Sequence, residues 1–218
     1  MDFSITEPMK PNQYLLLILL IFSCWQVNAQ QENDIWYFGL RAALDFRTGV
    51  PVALPDSEMI SREGCASVSS SSGELLFYTN GRSVWNSNHE VMSNGSGLFG
   101  GIETSSTHQA LIVPIPEQPF QYYIFTTDER ALNNGIRYSQ VDMSLNEDLG
   151  DIIIKNKLLY APSTERQTLA RHSNGTDFWL ISHGWNSDAF YMHLINKNGI
   201  QPNPVVRNIG LSHDQTVA

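Results

Sequence analysis

Cysteine is scarce, with two in 218 residues. That excludes a disulfide-stapled scaffold and any zinc site built from thiolates. Positive charge is scarce too: 13 Lys and Arg stand against 22 Asp and Glu, for a formal net charge of −9. A nucleic-acid binder resting on a broad basic surface is thereby excluded. Nowhere is there a sustained 3.6-residue apolar stripe long enough for a helix. What the chain does have is 42% hydrophobic and 16% charged residues, apolar enough to bury a core. Its five Trp, eight Tyr and ten Phe sit in short clusters flanked by Gly, Asn and Ser, which favours an all-β protein with many turns.

The first thirty residues read as an address. A polar start carrying Lys10 leads into a continuous apolar run, residues 14–25 (YLLLILLIFSCW). As a helix that run spans about 18 Å, short of the roughly 30 Å hydrocarbon core. Val27-Asn28-Ala29 then places small residues where a signal peptidase reads. The expectation is a signal peptide over 1–29, cleaved before Gln30, leaving a secreted or cell-surface chain with no membrane span. An acylated Cys24 is the alternative, and Phe22 fits a lipobox poorly. Cys65 then reads as a small buried core residue.

Residues 30–218 read as strands throughout. Leu75-Leu76-Phe77-Tyr78-Thr79 is closed by Asn80-Gly81 and followed by Ser83-Val84-Trp85, the pattern of a hairpin. The same pattern recurs at 122–127 with 136–141, and at 178–182 with 189–195 across a turn at 184–188. Aromatic second strands begin at Leu75, Tyr122 and Phe178, and Ile35-Trp36-Tyr37-Phe38 has the same character. Repeats of about 40–50 residues with three or four strands each predict a β-propeller of WD40-like or YVTN-like blades. Inner strands are expected to start near Ala66, Gln109 and Thr168, with Trp85, Tyr123 and Trp179 largely buried. A further inner strand is expected near 213–218, making about four blade units, an incomplete ring that continues beyond Ala218. A β-sandwich is the structural alternative.

Several phrases carry a resemblance: QENDIWYFG (31–39), LDF (44–46), EGCASVSSSSGELLFYTNGRSVWN (63–86), LLYAPSTE (158–165) and FWLISHGW (178–185). They resemble the N-terminal propeller-like region of large surface proteins of the Bacteroidetes. In that family the region is followed by PKD repeats and a gliding-motility-associated, type IX secretion sorting domain. The resemblance implies a surface-exposed propeller head, with downstream PKD-like domains if the gene continues. It brings no catalytic residues.

Candidate chemistry is sparse. The histidines form no H-E-x-x-H motif, although His108, His172 and His213 flank expected inner strands and could converge near a channel. The acidic stretch 142–151 lacks the spacing of a calcium loop and reads as a solvated turn. The serines around 67–72 lie in no nucleophile elbow, and the glycines at 95, 97, 100 and 101 read as a flexible connection rather than a phosphate cradle.

Trp85 and Trp185 stand beside turns, where an aromatic face can stack on a sugar or grip a protein partner. With His183 they are the candidate ligand-binding residues; core packing is the other role open to the tryptophans. Two function classes follow. One is a non-enzymatic recognition or adhesion module for an extracellular glycan or protein, with no cofactor, metal or catalytic residue. The other is a polysaccharide hydrolase or lyase on the same scaffold, which would require carboxylates such as Glu63, Glu103 and Asp128 to converge.

Overall fold

Leu75–Thr79 shows how the sequence builds this protein. Two leucines, two aromatics and a threonine alternate between two packed faces, and the strand stops at Asn80, whose Oδ1 accepts the backbone N–H groups of Arg82 and Ser83. Gly81 follows with φ +77°, a conformation that favours glycine. In a computed structural model of the chain, residues 31–101 and 106–213 are described. The leader expected over 1–29, Glu103 and all but His213 of the strand expected near 213–218 lie outside them. Within the described residues there are sixteen strands and no helix.

The strands fall into four consecutive antiparallel groups. The first is β1 (Ile35–Phe38), β2 (Ala42–Asp45) and β3 (Val52–Ala53). The second is β4 (Ala66–Ser69), β5 (Leu75–Thr79), β6 (Ser83–Asn86) and β7 (Val91–Ser96). The third is β8 (Ala110–Pro114), β9 (Gln121–Thr127), β10 (Ile136–Asp142) and β11 (Asp151–Tyr160). The fourth is β12 (Ser163–Arg171), β13 (Phe178–Gly184) and β14 (Ser187–Asn196). There β15 (Gly199–Ile200) and β16 (Val205–His213) both pair with β14.

One parallel pair, Ser93 with Asp151, joins the second and third groups into an eight-stranded sheet. Lys155 Nζ reinforces that joint by donating to Asn94 Oδ1 at 2.7 Å, and Asn156 Nδ2 donates to Gly97 O at 2.8 Å. The sheet curls until β4 and β8 are neighbours, a nearly closed, barrel-like arrangement.

Three apolar clusters lie between successive groups, one per seam. Between the first and second groups sit Ile35, Tyr37, Ala43, Met59, Tyr78 and Trp85. Tyr37 stacks on Tyr78 at 4.3 Å, and Tyr78 on Trp85 at 5.4 Å. Between the second and third groups sit Phe77, Val84, Met92, Tyr122, Ile124 and Ile152 among others, with Phe77 edge-on to Tyr122. Between the third and fourth sit Val113, Tyr123, Phe125, Ile136, Leu180 and Ile195. Each middle group therefore buries both faces, because strand alternation sends successive side chains to opposite seams.

The hairpin expectations are matched at β5, β6, β9, β10, β13 and β14. Other expectations shift. The strand expected to start near Thr168 begins at Ser163, five residues earlier. The turn expected at 184–188 narrows to Trp185 and Asn186, with Asn186 at φ 51°. Gly95 lies inside β7 rather than in a loop, where a Cβ would stand 2.7 Å from Met92 O. Tyr123 and Trp85 are buried as expected, but Trp179 is only half-buried.

Candidate functional site

The turns at one end of the stack are tied across every seam. The β1–β2 turn is held to the segment before β4 by Arg41 N to Met59 O at 2.9 Å and Ser61 N to Gly39 O at 2.8 Å. Asn80 Nδ2, in the β5–β6 turn, donates to Ile60 O at 2.9 Å. Gly64 N donates to Ser106 O at 3.2 Å, and the buried Gln109 side chain donates from Nε2 to Asn80 O. The Ser106 and Thr127 hydroxyls meet at 2.8 Å. Buried polar groups of this kind are stable only when satisfied, so the ties fix the loops as one unit.

Glu165 closes the last seam. Its Oε2 accepts from Thr107 N at 2.9 Å and Thr107 Oγ1 at 3.0 Å, and its Oε1 accepts from Arg130 N at 2.9 Å. The carboxylate thus satisfies two loop amides and fixes the β9–β10 loop against the start of β12. Around these ties Arg62, Glu63, His108, Arg130 and Arg166 stand exposed, with Arg82 half-exposed. Arg41 lies at the same end, ion-paired with Glu58 at 3.2 Å. The result is a rigid, polar, arginine-rich surface drawn from all four groups, on a chain that is acidic overall.

The residues singled out from sequence fall in different places. Trp85 is 9% exposed, inside the first seam against Tyr78, so its ring face is not offered to solvent. His183 is 5% exposed and edge-on to Phe190 at 4.6 Å. Trp185 is half-exposed in the β13–β14 turn, its backbone amide donating to Pro162 O at 3.4 Å. Trp85 and Trp185 belong to different sheets, and no shared ligand platform joins them.

His108 precedes β8, whereas His172 follows β12 at the opposite end and tilts against Trp179, so these two do not converge. Asp128 is buried, and its two oxygens accept Glu129 N and Asn134 N at 3.0 Å each. Glu63 is exposed on a neighbouring loop. In the acidic stretch, Asp142 Oδ1 accepts Ser144 N and Oγ, closing the turn expected there. Among the described residues no three His, Cys, Asp or Glu side chains are grouped to hold a metal ion.

Sequence reasoning missed the arginines and the Glu165 tie. The signal was present as Arg62, Arg82, Arg130 and Arg166, each near the start of a first strand or in the turn between second and third strands. Compared with protein-family models, curated proteins and solved structures, the chain matches none of them.

Proposed function

We propose that this chain is a recognition module of the cell exterior whose cross-tied loop end binds an extracellular glycan or protein. The observation that carries the reading is the tying of loops from all four strand groups into one surface that exposes Arg62, Arg130, Arg166 and His108. A surface held by buried hydrogen bonds loses little entropy on binding, which suits recognition without rearrangement. Exposed guanidinium groups favour an anionic ligand, since they present planar paired donors to carboxylate, sulfate or phosphate groups.

In the same reading the four groups are consecutive blades of a propeller. Support comes from the one-seam, one-cluster packing and from the backbone turn ties that recur at the first two seams, the third turn being held through Glu165. The pairing that merges two groups into an eight-stranded sheet is a single residue pair between outermost strands. The signal-peptide pattern at 14–29 and the resemblance to Bacteroidetes surface proteins agree with an exported module. The test is a glycan and surface-protein array probed with the protein and with an Arg130→Ala/Arg166→Ala variant. Binding to acidic glycans or acidic proteins that drops at least tenfold in the variant supports the reading. Ligand turnover, or binding unaffected by the variant, overturns it.

A further inference from the structure

The turns between second and third strands each place one long side chain at the loop end. Arg41, Arg82 and Arg130 stand three residues past the ends of β1, β5 and β9, and Trp185 directly follows β13. Arg130 holds φ at 48°, in the left-handed region that side chains rarely adopt. Such a conformation persists only where its surroundings over-determine it. Here Glu165 accepts the Arg130 amide, and Asp128 accepts those of Glu129 and Asn134. Glu165 and Arg166 lie in a bulge of β12 between Ser163 and Gln167, an irregularity that re-aims side chains. Glu165 is occupied by the ties, while Arg166 beside it is exposed.

These side chains differ from their counterparts elsewhere in having no partner. Among the described residues the Arg82, Arg130 and Arg166 guanidinium groups make no hydrogen bond, ion pair or ring contact. Away from this band arginines are engaged: Arg41 on Glu58, Arg47 on Asp45 and Glu74, Arg137 on Asn156 O, and Arg171 over the Phe178 ring. Acidic residues outnumber basic ones 22 to 13, so the lack of partners at the loop end is not a shortage of carboxylates. The half-exposed Trp185 is in the same condition. Its indole N–H makes no hydrogen bond and its ring meets no other ring among the described residues. By contrast Trp36 Nε1 donates to Asn33 O at 2.7 Å, and Trp85 stacks on Tyr78.

Backbone ties make one band of these groups. Arg82 O accepts from Leu98 N at 3.0 Å and Gly81 O from Gly100 N at 2.9 Å, which joins the β5–β6 turn to the segment ahead of β8. Thr107, just ahead of β8, donates to Glu165, and Glu165 holds Arg130. Trp185 N donates to Pro162 O, just ahead of β12. The band therefore crosses the second, third and fourth groups. Stacked sheets lie about 10 Å apart, so three of them give it a length of about 20 Å. One small anion covers a single position, whereas an extended polymer covers all of them.

We infer that the ligand of the loop end is an acidic polysaccharide laid along this band. Its anionic groups meet Arg82, Arg130 and Arg166, whose planar paired donors match carboxylate or sulfate. One sugar ring packs on the Trp185 face, and the indole N–H is a donor for its hydroxyl groups. An aromatic position at the end of a cationic row favours a glycan over an acidic protein segment. An acidic sugar carries an apolar ring face and a charge on the same repeating unit, whereas an acidic side chain carries the charge alone. The choice rests on the loop-end reading above and narrows it to one ligand class.

Isothermal titration calorimetry with the purified protein tests it, using oligogalacturonides of increasing length, dextran sulfate, neutral dextran and polyglutamate. Oligogalacturonides or dextran sulfate should bind, more tightly with increasing length and more weakly with added salt. Whichever of the two binds assigns the anion as carboxylate or sulfate. Neutral dextran and polyglutamate should bind at least tenfold more weakly. Arg82→Gln and Trp185→Ala should each weaken glycan binding at least tenfold without lowering the melting temperature. Trp185→Phe, which keeps a ring, should retain most of the binding. Polyglutamate bound as tightly as the glycans, with Trp185→Ala without effect, would overturn the polysaccharide and leave an anion-binding loop end standing. Glycan binding indifferent to both Arg82→Gln and Trp185→Ala would overturn the band as its site. Failure of every anionic probe to bind would overturn this inference and the loop-end reading together.

Discussion

His108 and Gln167 hydrogen-bond each other twice: the Gln167 side-chain amide donates to the His108 carbonyl at 2.8 Å, and the His108 ring Nδ1 lies 2.8 Å from the Gln167 carbonyl. A carbonyl only accepts, so Nδ1 carries the hydrogen and fixes the tautomer. The Gln167 amide also reaches Phe125 O at 3.3 Å. One side chain therefore ties the start of β8, the body of β9 and β12 together. Gln109 does the same one seam earlier, between β8 and the β5–β6 turn. Each of these two seams is closed by apolar packing along its length and by an amide clamp at the loop end.

Removing such a clamp takes a donor from buried acceptors. Gln167 is 3% exposed, and Gln167→Ala removes the side-chain donor that the His108 and Phe125 carbonyls share, leaving His108 O with Thr127 Oγ1 at 3.1 Å. The expected loss is about 0.5–1.5 kcal/mol of stability, read as a lower urea midpoint with an unchanged slope. A midpoint within error of the original would show that the clamp is incidental to the seam.

Close backbone approach at the loop end between the second and third groups makes a second, steeper prediction. A Cβ on Gly64 would stand 2.3 Å from Gln109 N and 3.0 Å from both Ser106 O and Thr107 O. All three are backbone atoms that cannot rotate away. Gly64→Ala should cost at least about 1–3 kcal/mol, the range for an overpacked site, whereas Gly175→Ala, with open space around it, should cost only its φ strain. Thermal denaturation of the pair compares them directly.

Much of this was legible because hairpins announce themselves. Leu75–Thr79 with Asn80-Gly81 combines β-forming residues with a turn that needs a positive φ, so strand and boundary could both be read. The outermost strands were harder. In β7 Asn94 adopts φ 54° and Gly95 sits under Met92, so a segment that looks like a glycine-rich loop is held as a strand by its neighbours. In β11 Lys155, Asn156 and Lys157 interrupt the apolar pattern, because that strand faces outward and Lys155 is spent on the joint with β7. The burial of Trp85 was not decidable from its place beside a turn. Tertiary stacking on Tyr78 settled it, and the loop-end surface is likewise a product of contacts between residues up to 59 positions apart.

Cys65 should behave as a core thiol. It is half-buried, its Sγ lies 3.8 Å from Tyr37 O, and burial pushes its pKa upward. The reactive form is the thiolate, so little of it is present near pH 8. Alkylation of Cys65 followed by peptide mapping should be slow in buffer and complete within minutes in denaturant. Rapid labelling of the native protein would place this residue at an open, mobile seam instead.

His193 sets the expected response to acid. It is 2% exposed on β14 and parallel to the Tyr160 ring at 6.3 Å, and its Nδ1 has no hydrogen-bond partner among the described residues. Burial disfavours the charged imidazolium and holds its pKa below the ordinary histidine value of 6.5. In the unfolded chain the same group takes up a proton near that ordinary value. Below it, therefore, the unfolded state binds more protons than the folded one, and stability falls as pH falls toward the folded-state value. Above the ordinary value both states are neutral and the contribution is constant. The melting temperature should therefore hold steady from pH 8 to 7 and decline from about pH 6.5 downward. In His193→Gln, which is neutral at every pH, the part of the decline owed to this residue should vanish, leaving a shallower slope between pH 6.5 and 5. Equal slopes in the two proteins would mean that His193 takes up its proton without unfolding the fourth strand group, and that its burial is relieved by local opening.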